Sequence, residues 1–240
     1  MPKRDKKIAN TSNCKEISSQ LPPLGLITEV QKQLIAWYKK HGRSFPWRKS
    51  SCSKYQYVIS ELLLQRTRAE AVAAFYPKFI NEFPSWKHLE TASIKQLQRY
   101  LKPLGLWKRR ATSIKKLSQV MAKKNGRFPK TRDQLENLPG VGQYISNSIL
   151  LLCHGRREPL LDTNMARVLE RLFGQRKLAD IRYDPYLQRL SKMVVDCETP
   201  KIINWGILDL AAKICLFRNP DCCNCPLIKY CDFYQVKVQI

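Results

Sequence analysis

Leu138-Pro139-Gly140-Val141-Gly142-Gln143-Tyr144 joins two segments of helical spacing, and its reading decides the architecture. Two glycines one residue apart permit positive φ and close approach of another backbone. The segment that follows, Gln143 to Cys153, reads as a helix, so its first N–H groups and its positive dipole end face out of the turn. Such an end receives a phosphate without any side chain. An ordinary tight turn would look the same if the two glycines stood alone. Here the chain carries 43 Lys and Arg against 19 Asp and Glu, a formal charge of +24. Each phosphate that meets Lys or Arg releases a counterion, so an excess that large points to nucleic acid. Leu138, Gly140, Val141, Gly142 and Gln143 therefore read as a sequence-independent contact to the DNA backbone. An anionic membrane surface fits the charge less well.

On both sides of the turn the apolar spacing is helical. Ile27 to Lys40, Tyr57 to Arg68, residues 69–82, 93–101 and 107–124, Thr131 to Asn137, Gln143 to Cys153, Thr163 to Leu172, Tyr186 to Val195 and Ile203 to Cys215 all read as helices. Thr131 with Gln134 makes a capping-box pattern. His41 to Arg48 is a loop broken by Gly42 and Pro46. Alternating strand patterns are absent, so the chain reads as all-α, with no internal repeat and no long linker. The 240 residues, 44% of them hydrophobic, suffice for one sizeable core or two small ones. Residues 1–25 read as a basic flexible tail. The first thirteen residues lack the apolar stretch of a secretory signal, and no run is long enough to span a bilayer, so an intracellular, DNA-associated protein is expected.

Nine cysteines are unevenly placed. Cys14, Cys52, Cys153 and Cys197 are scattered, whereas Cys215, Cys222, Cys223, Cys225 and Cys231 crowd one C-terminal stretch. A disulfide scaffold would spread them through a short secreted chain. Cys215, Cys222, Cys225 and Cys231 follow C-x6-C-x2-C-x5-C, which suits either a [4Fe–4S] cluster or a tetrahedral zinc. Cys223 reads as a non-ligand, and Arg218 and Lys229 of the same loop could face phosphate.

Single residues carry further expectations. Glu61 sits among Ile59, Leu62, Leu63 and Leu64, where a carboxylate is costly unless it is paired or faces a cleft. Burial there would raise its pKa and suit it to donate a proton. A structural acid paired with Arg48 or another cation is the competing reading. Asp162 precedes a helix beginning near Asn164, and from the residues alone a cap and a catalytic carboxylate weigh equally. Lys108, Arg109 and Arg110 are candidate phosphate contacts; a solvated basic face explains any one of them nearly as well.

The turn Leu138–Tyr144, followed by Leu160-Leu161-Asp162-Thr163-Asn164, resembles the helix-hairpin-helix and downstream aspartate region of the endonuclease III superfamily of DNA glycosylases. The resemblance covers nearly all of Ile27 to Tyr234. It implies a six-helix barrel domain with the hairpin (52–155) and a second helical domain formed by both chain ends (26–51 and 156–240), with catalysis at the cleft between them. The cysteine spacing and position also match that superfamily's iron–sulfur loop, which implies a [4Fe–4S] cluster on Cys215, Cys222, Cys225 and Cys231 in a structural role. Cleavage of an N-glycosidic bond needs a carboxylate near the anomeric carbon, help for the departing base, and a nucleotide flipped out of the stack. The resemblance gives the first role to Asp162. It places Tyr144 where bifunctional members carry a Schiff-base lysine; a phenol forms no imine, so hydrolysis without efficient β-lyase chemistry is expected. Glu61 matches the glutamate of monofunctional adenine and mismatch-thymine glycosylases. Gln65 and Arg66, expected on the helical face that enters the duplex, would fill the gap or contact the opposite base.

Three features bear on the base removed. The chain ends just after the cysteine loop, which leaves no room for the additional C-terminal recognition domain typical of adenine glycosylases. Leu104-Gly105-Leu106-Trp107 resembles the LGL-type segment of G·T mismatch glycosylases rather than the LGYY-type of adenine glycosylases. Ile203-Asn204-Trp205-Gly206 resembles the mismatch enzymes too, with Gly206 in place of the usual alanine. Tyr144 occurs in both groups. The expectation is removal of thymine or uracil mispaired with guanine in double-stranded DNA, by a monomer. A T·G pair also costs less to flip than a matched pair. The alternatives are an adenine glycosylase without its C-terminal domain, and a non-catalytic DNA-binding module, against which the joint presence of Glu61, Tyr144 and Asp162 argues.

Overall fold

Every regular element among residues 20–238, which the computed structural model describes, is helical. Most of the tail read over residues 1–25, Cys14 included, lies outside the described residues. Among the described residues twelve α-helices follow one another: α1 (Leu24–His41), α2 (Lys54–Leu64), α3 (Ala69–Glu82), α4 (Trp86–Thr91), α5 (Ile94–Leu101), α6 (Trp107–Lys123), α7 (Arg132–Glu136), α8 (Gln143–His154), α9 (Thr163–Phe173), α10 (Pro185–Val195), α11 (Pro200–Lys213) and α12 (Asp232–Val238). None of the described helices is long and apolar enough to cross a membrane. Packing divides the chain after Gly42 and after Leu160 into two compact units.

The unit Arg43–Leu160 holds α2 to α8 around one apolar core, to which α2 contributes Val58, Ile59, Leu62 and Leu63 and α3 contributes Val72, Tyr76 and Phe79. Helix α2 packs against α3 and α8, while α4 and α5 pack against α6. Ser53 starts α2 through a capping box: its hydroxyl accepts from the Gln56 amide at 3.2 Å, and the Gln56 side chain accepts from the Ser53 amide at 2.8 Å. Satisfying two terminal amides this way fixes where a helix begins. The expected capping box at Thr131 does not form, since the Thr131 side chain makes no cap bond. Helix α2 also stops at Leu64, four residues short of the predicted Arg68, because Gln65 leaves the helical region (ψ 111°) and Arg66 turns left-handed (φ 55°). Helix α4 is not foreshadowed by periodicity; six residues hold less than two turns, and its signals are the Ser85 cap and the buried Trp86 and Leu89.

The other unit combines α1 with α9 to α12. Helix α11 runs between α1 and α9, and α9 also meets α10 and α12. Its core gathers Val30 and Leu34 of α1, Leu169 of α9, Leu187 of α10 and Ile203 and Ile207 of α11. Gly206 explains itself here: a Cβ on it would stand 3.0 Å from Leu34 Cγ, so the missing methyl lets α1 and α11 approach closely. Pro200 opens α11 at the first helical turn, where its missing N–H costs nothing. Helix α11 therefore starts before the predicted Ile203, and it ends at Lys213, before Cys215.

Candidate active site and cysteine loop

The hairpin between α7 and α8 is pinned from inside. Leu138 and Val141 are buried, and the Val141 amide donates to the Leu138 carbonyl at 3.1 Å. Gly140 has φ 76°, and a Cβ there would meet Ser113 Cβ at 3.2 Å, so both backbone and space call for glycine. Gly142 differs. Its φ of −103° is open to any residue, and nothing lies within 4 Å of the Cβ it lacks. The exposed Gly142 is thus required neither by the fold nor by its own dihedrals. No side chain caps α8, which begins right after it with the half-buried Gln143 and Tyr144.

Glu61 lies on α2, only 6% exposed, and α2 packs along α8, the helix that carries Tyr144. The sequence pattern puts Gln65 and Arg66 on the face of this helix. They stand instead on the exposed turn beyond its end.

Arg110 also departs from expectation. Lys108 and Arg109 are exposed at the start of α6, as a phosphate contact requires, but Arg110 is 5% exposed. Its guanidinium donates to Gln65 O, Thr67 Oγ1 and Gly105 O, each at 2.8 Å, and to Leu104 O at 3.3 Å. With both terminal nitrogens engaged by the protein and the side chain buried, the guanidinium is not presented to a phosphate. Arg110 joins the turn after α2 to the turn before α6. Each carries a left-handed non-glycine residue, Arg66 at φ 55° and Leu106 at φ 48°. Leu106, in the segment read from sequence as LGL-type, is 52% exposed, a projecting apolar side chain.

In the other unit, Asp162 caps α9. Its Oδ1 accepts from the amides of Asn164 at 2.9 Å and Met165 at 2.8 Å, while Oδ2 accepts from the Asn164 side chain at 2.7 Å. Cap and candidate catalytic carboxylate are thus one group. Asn164 Oδ1 accepts from Arg167 at 3.2 Å, and Arg167 donates onward to Cys215 O at 2.9 Å and Ala211 O at 3.1 Å. A continuous line of hydrogen bonds runs from the Asp162 carboxylate to the backbone of the first loop cysteine. Sequence reasoning assigns no site role to Asn164 or Arg167; their spacing from Asp162 within one and a half turns of α9 is the available signal.

Cys215, Cys222, Cys225 and Cys231 line a single recess of about 300 Å³, counting the space open to solvent. Ile214, Pro220, Ile228 and Phe233 supply apolar wall, and Arg171 closes one side. Cys223 lies outside the recess and is exposed, and none of the described cysteines is in a disulfide. Burial pushes the Cys225 thiol up to about 11, helped by the other three sulfurs, and also raises Cys231. Four soft donors on the wall of one apolar recess suit a cationic iron or zinc centre, which stabilises the thiolates that burial alone disfavours. Among the described residues no three His, Cys, Asp or Glu side chains converge as the ligands of one ion would.

Comparison with known proteins places these observations. The model of the HhH-GPD superfamily base excision DNA repair protein family matches residues 59–201. The chain is 38% identical to a thymine/uracil-DNA glycosylase of Pyrobaculum aerophilum over 92% of its own length and 99% of the relative's. It is 32% identical to an adenine DNA glycosylase of Buchnera aphidicola subsp. Acyrthosiphon pisum over 82% of its length, spanning 57% of that protein. A solved structure of a thermostable thymine-DNA glycosylase superposes with a TM-score of 0.82 at 28% identity, covering 88% of this chain and 98% of the other.

Proposed function

This chain belongs to the HhH-GPD superfamily of base excision DNA repair proteins, and from that premise we propose that it is a DNA N-glycosylase that hydrolyses thymine or uracil from mispairs with guanine. The observation that carries the substrate is its similarity, along almost the whole of both chains, to a thymine/uracil-DNA glycosylase. The adenine enzyme is the more distant of the two relatives, and removal of adenine is the second reading.

In this reading the exposed hairpin, with Gly142 leaving the start of α8 clear of any Cβ, receives a backbone phosphate. Exposed Gln65, Arg66, Lys108 and Arg109 supply further contacts to the duplex. Once the base is flipped out, Asp162 stabilises the positive charge that grows on the sugar. Its carboxylate suits this because both oxygens are already oriented, Oδ1 by two amides and Oδ2 by Asn164. Buried Glu61 supplies a proton to the departing base or orders the attacking water. Tyr144, a phenol, cannot form an imine, so the reaction ends at the abasic site.

Cys215, Cys222, Cys225 and Cys231 would hold a [4Fe–4S] cluster: the four thiols line one recess, and their spacing resembles the iron–sulfur loop of the superfamily. Bound there, the cluster would tie the end of α11 to the start of α12 and supply no step of base removal.

The test is a single-turnover assay with alkali cleavage on duplexes bearing T·G, U·G, A·G, and A opposite oxidised guanine. Asp162→Asn is the matched variant, because asparagine caps a helix as well as aspartate does and so preserves the start of α9. Release of T and U but not A, lost in Asp162→Asn, is the expected result. Release of A alone would overturn the substrate, and binding without any release would leave a DNA-binding module.

A further inference from the structure

We propose that Arg171 is a positioning residue for the cluster, raising its one-electron reduction potential through a hydrogen bond to the sulfur of Cys215. The proposal rests on the [4Fe–4S] reading above. Arg171 stands one turn beyond Arg167 on α9, so both point to the same side of the helix. The two arginines act on the cysteine loop differently. Arg167 reaches only main-chain oxygens there, those of Ala211 and Cys215. Arg171 Nη1 lies 3.2 Å from Cys215 Sγ and donates to Leu216 O at 2.7 Å, while Nη2 donates to Phe217 O at 3.1 Å. Its guanidinium carbon sits 4.8 Å from the centre of the Phe233 ring, on the wall of the recess.

Two consequences follow from elementary chemistry. Guanidinium is charged at every accessible pH, so its N–H contact to Cys215 sulfur is charge-assisted and permanent. A donor on a ligand sulfur stabilises whichever cluster state carries more negative charge, and hydrogen bonds to the sulfurs are among the determinants of iron–sulfur potentials. Removing it must therefore move the potential down. The second consequence concerns the loop. Phe217 is 76% exposed, so Leu216–Phe217 has little apolar packing to hold it, and the two carbonyl bonds from Arg171 supply the hold.

The experiment uses the full chain, purified without oxygen. Iron and sulfide are quantified, the visible charge-transfer absorbance is recorded, and the potential is read by voltammetry, in which the electrode supplies or takes the single electron. Arg171→Met keeps an unbranched stem over Phe233 and removes the fork. Arg167→Lys is the comparison, since it perturbs the neighbouring arginine but no sulfur contact. The expected result is a potential lowered by at least 59 mV in Arg171→Met, a tenfold shift in the one-electron equilibrium, with that of Arg167→Lys within a third of this shift from wild type. Should Arg171→Met fail to load even after reconstitution, Arg171→Lys is read instead; its ammonium ends where the guanidinium carbon stands, one bond short of the nitrogens that reach the sulfur and the two carbonyls, and a lowered potential is again expected. Loaded variants with the wild-type potential would overturn the inference and leave the cluster reading intact. Wild-type protein without iron and visible absorbance would overturn the cluster reading itself.

Discussion

Replacing Arg110 by methionine separates a clamp from a phosphate contact. The side chain is 5% exposed and donates to four acceptors, Gln65 O, Thr67 Oγ1, Leu104 O and Gly105 O. A hydrogen bond involving a charged partner contributes about 1.5–3 kcal/mol. Gln65 and Gly105 are exposed residues, so water takes over at their carbonyls and they count for little. Thr67 and Leu104 are half-buried, and losing their donor costs about 3 kcal/mol for the two together. Methionine fills most of the vacated volume, which keeps any cavity contribution small. For a chain of this size about 3 kcal/mol lowers Tm by roughly 6–12 °C. Arg109→Met, one residue earlier and exposed, is the control; it is expected to change stability by no more than about 0.5 kcal/mol and to reduce the salt slope of DNA binding by about 1. Urea unfolding and binding titrations over a range of salt read both quantities. If Arg110→Met instead keeps its stability within about 1 kcal/mol and loses the same salt slope as Arg109→Met, the buried clamp is wrong and Arg110 reaches the phosphate after all.

Asp162 tests two roles at once. Asp162→Ala should lose both base release and about 1 kcal/mol of stability, whereas Asp162→Asn should lose base release alone. His154 has its pKa held below the usual histidine range by burial, with its Nε2 2.9 Å from Pro129 O. A depressed folded pKa contributes stability that is present above the unfolded value of about 6.5 and is lost as pH falls through the folded one; urea midpoints measured from pH 7.5 down to 5 should therefore fall less in His154→Gln than in wild type. Burial pushes the Cys153 thiol up to about 12, while Cys223 is exposed. Mass spectrometry after brief alkylation at neutral pH should find Cys223 modified and Cys153 untouched, and labelling of Cys153 in the native protein would show that α8 opens more readily than its packing implies.

The helical class and the hairpin were legible because they are written in local spacing. Gln143 begins α8 as the turn predicts, and Thr163 follows its Asp162 cap. What escaped was set at a distance. The apolar run Leu62-Leu63-Leu64 continues smoothly into a polar stretch, and nothing nearby ends the helix before Arg68. The left-handed turn at Arg66 is held by Arg110, more than forty residues away along the chain. The two hairpin glycines look alike in sequence and differ in structure, one fixed by its dihedral and by Ser113, the other by neither. Asp162 looks like a choice between cap and catalyst because sequence does not show that one carboxylate oxygen serves the amides while Asn164 holds the other.

The arginines carry the sharper lesson, since all are visible in the sequence and helical phase tells them apart. Consecutive residues on a helix point about 100° apart, so Lys108, Arg109 and Arg110 cannot share one face. Arg110 falls in step with Ile114, Leu117 and Met121, all buried, at offsets of four, seven and eleven. That phase is the mark of a core arginine, and a core arginine must find acceptors inside the protein. The same test applied to α9 puts Arg167 and Arg171 on one stripe, four residues apart, beside the buried Val168 and Leu172. Two guanidinium groups on the border of an apolar face have to be drawn to something electron-rich that packs there. In this chain it is the cysteine loop, reached at Cys215 O by one and at Cys215 Sγ by the other. Helix α9 thus begins at the carboxylate proposed for catalysis and, one and two turns later, grips the loop proposed for the cluster. Loss of the cluster should therefore be felt at Asp162 through Arg167 and Asn164, as a fall in the rate of base release larger than the fall in DNA affinity.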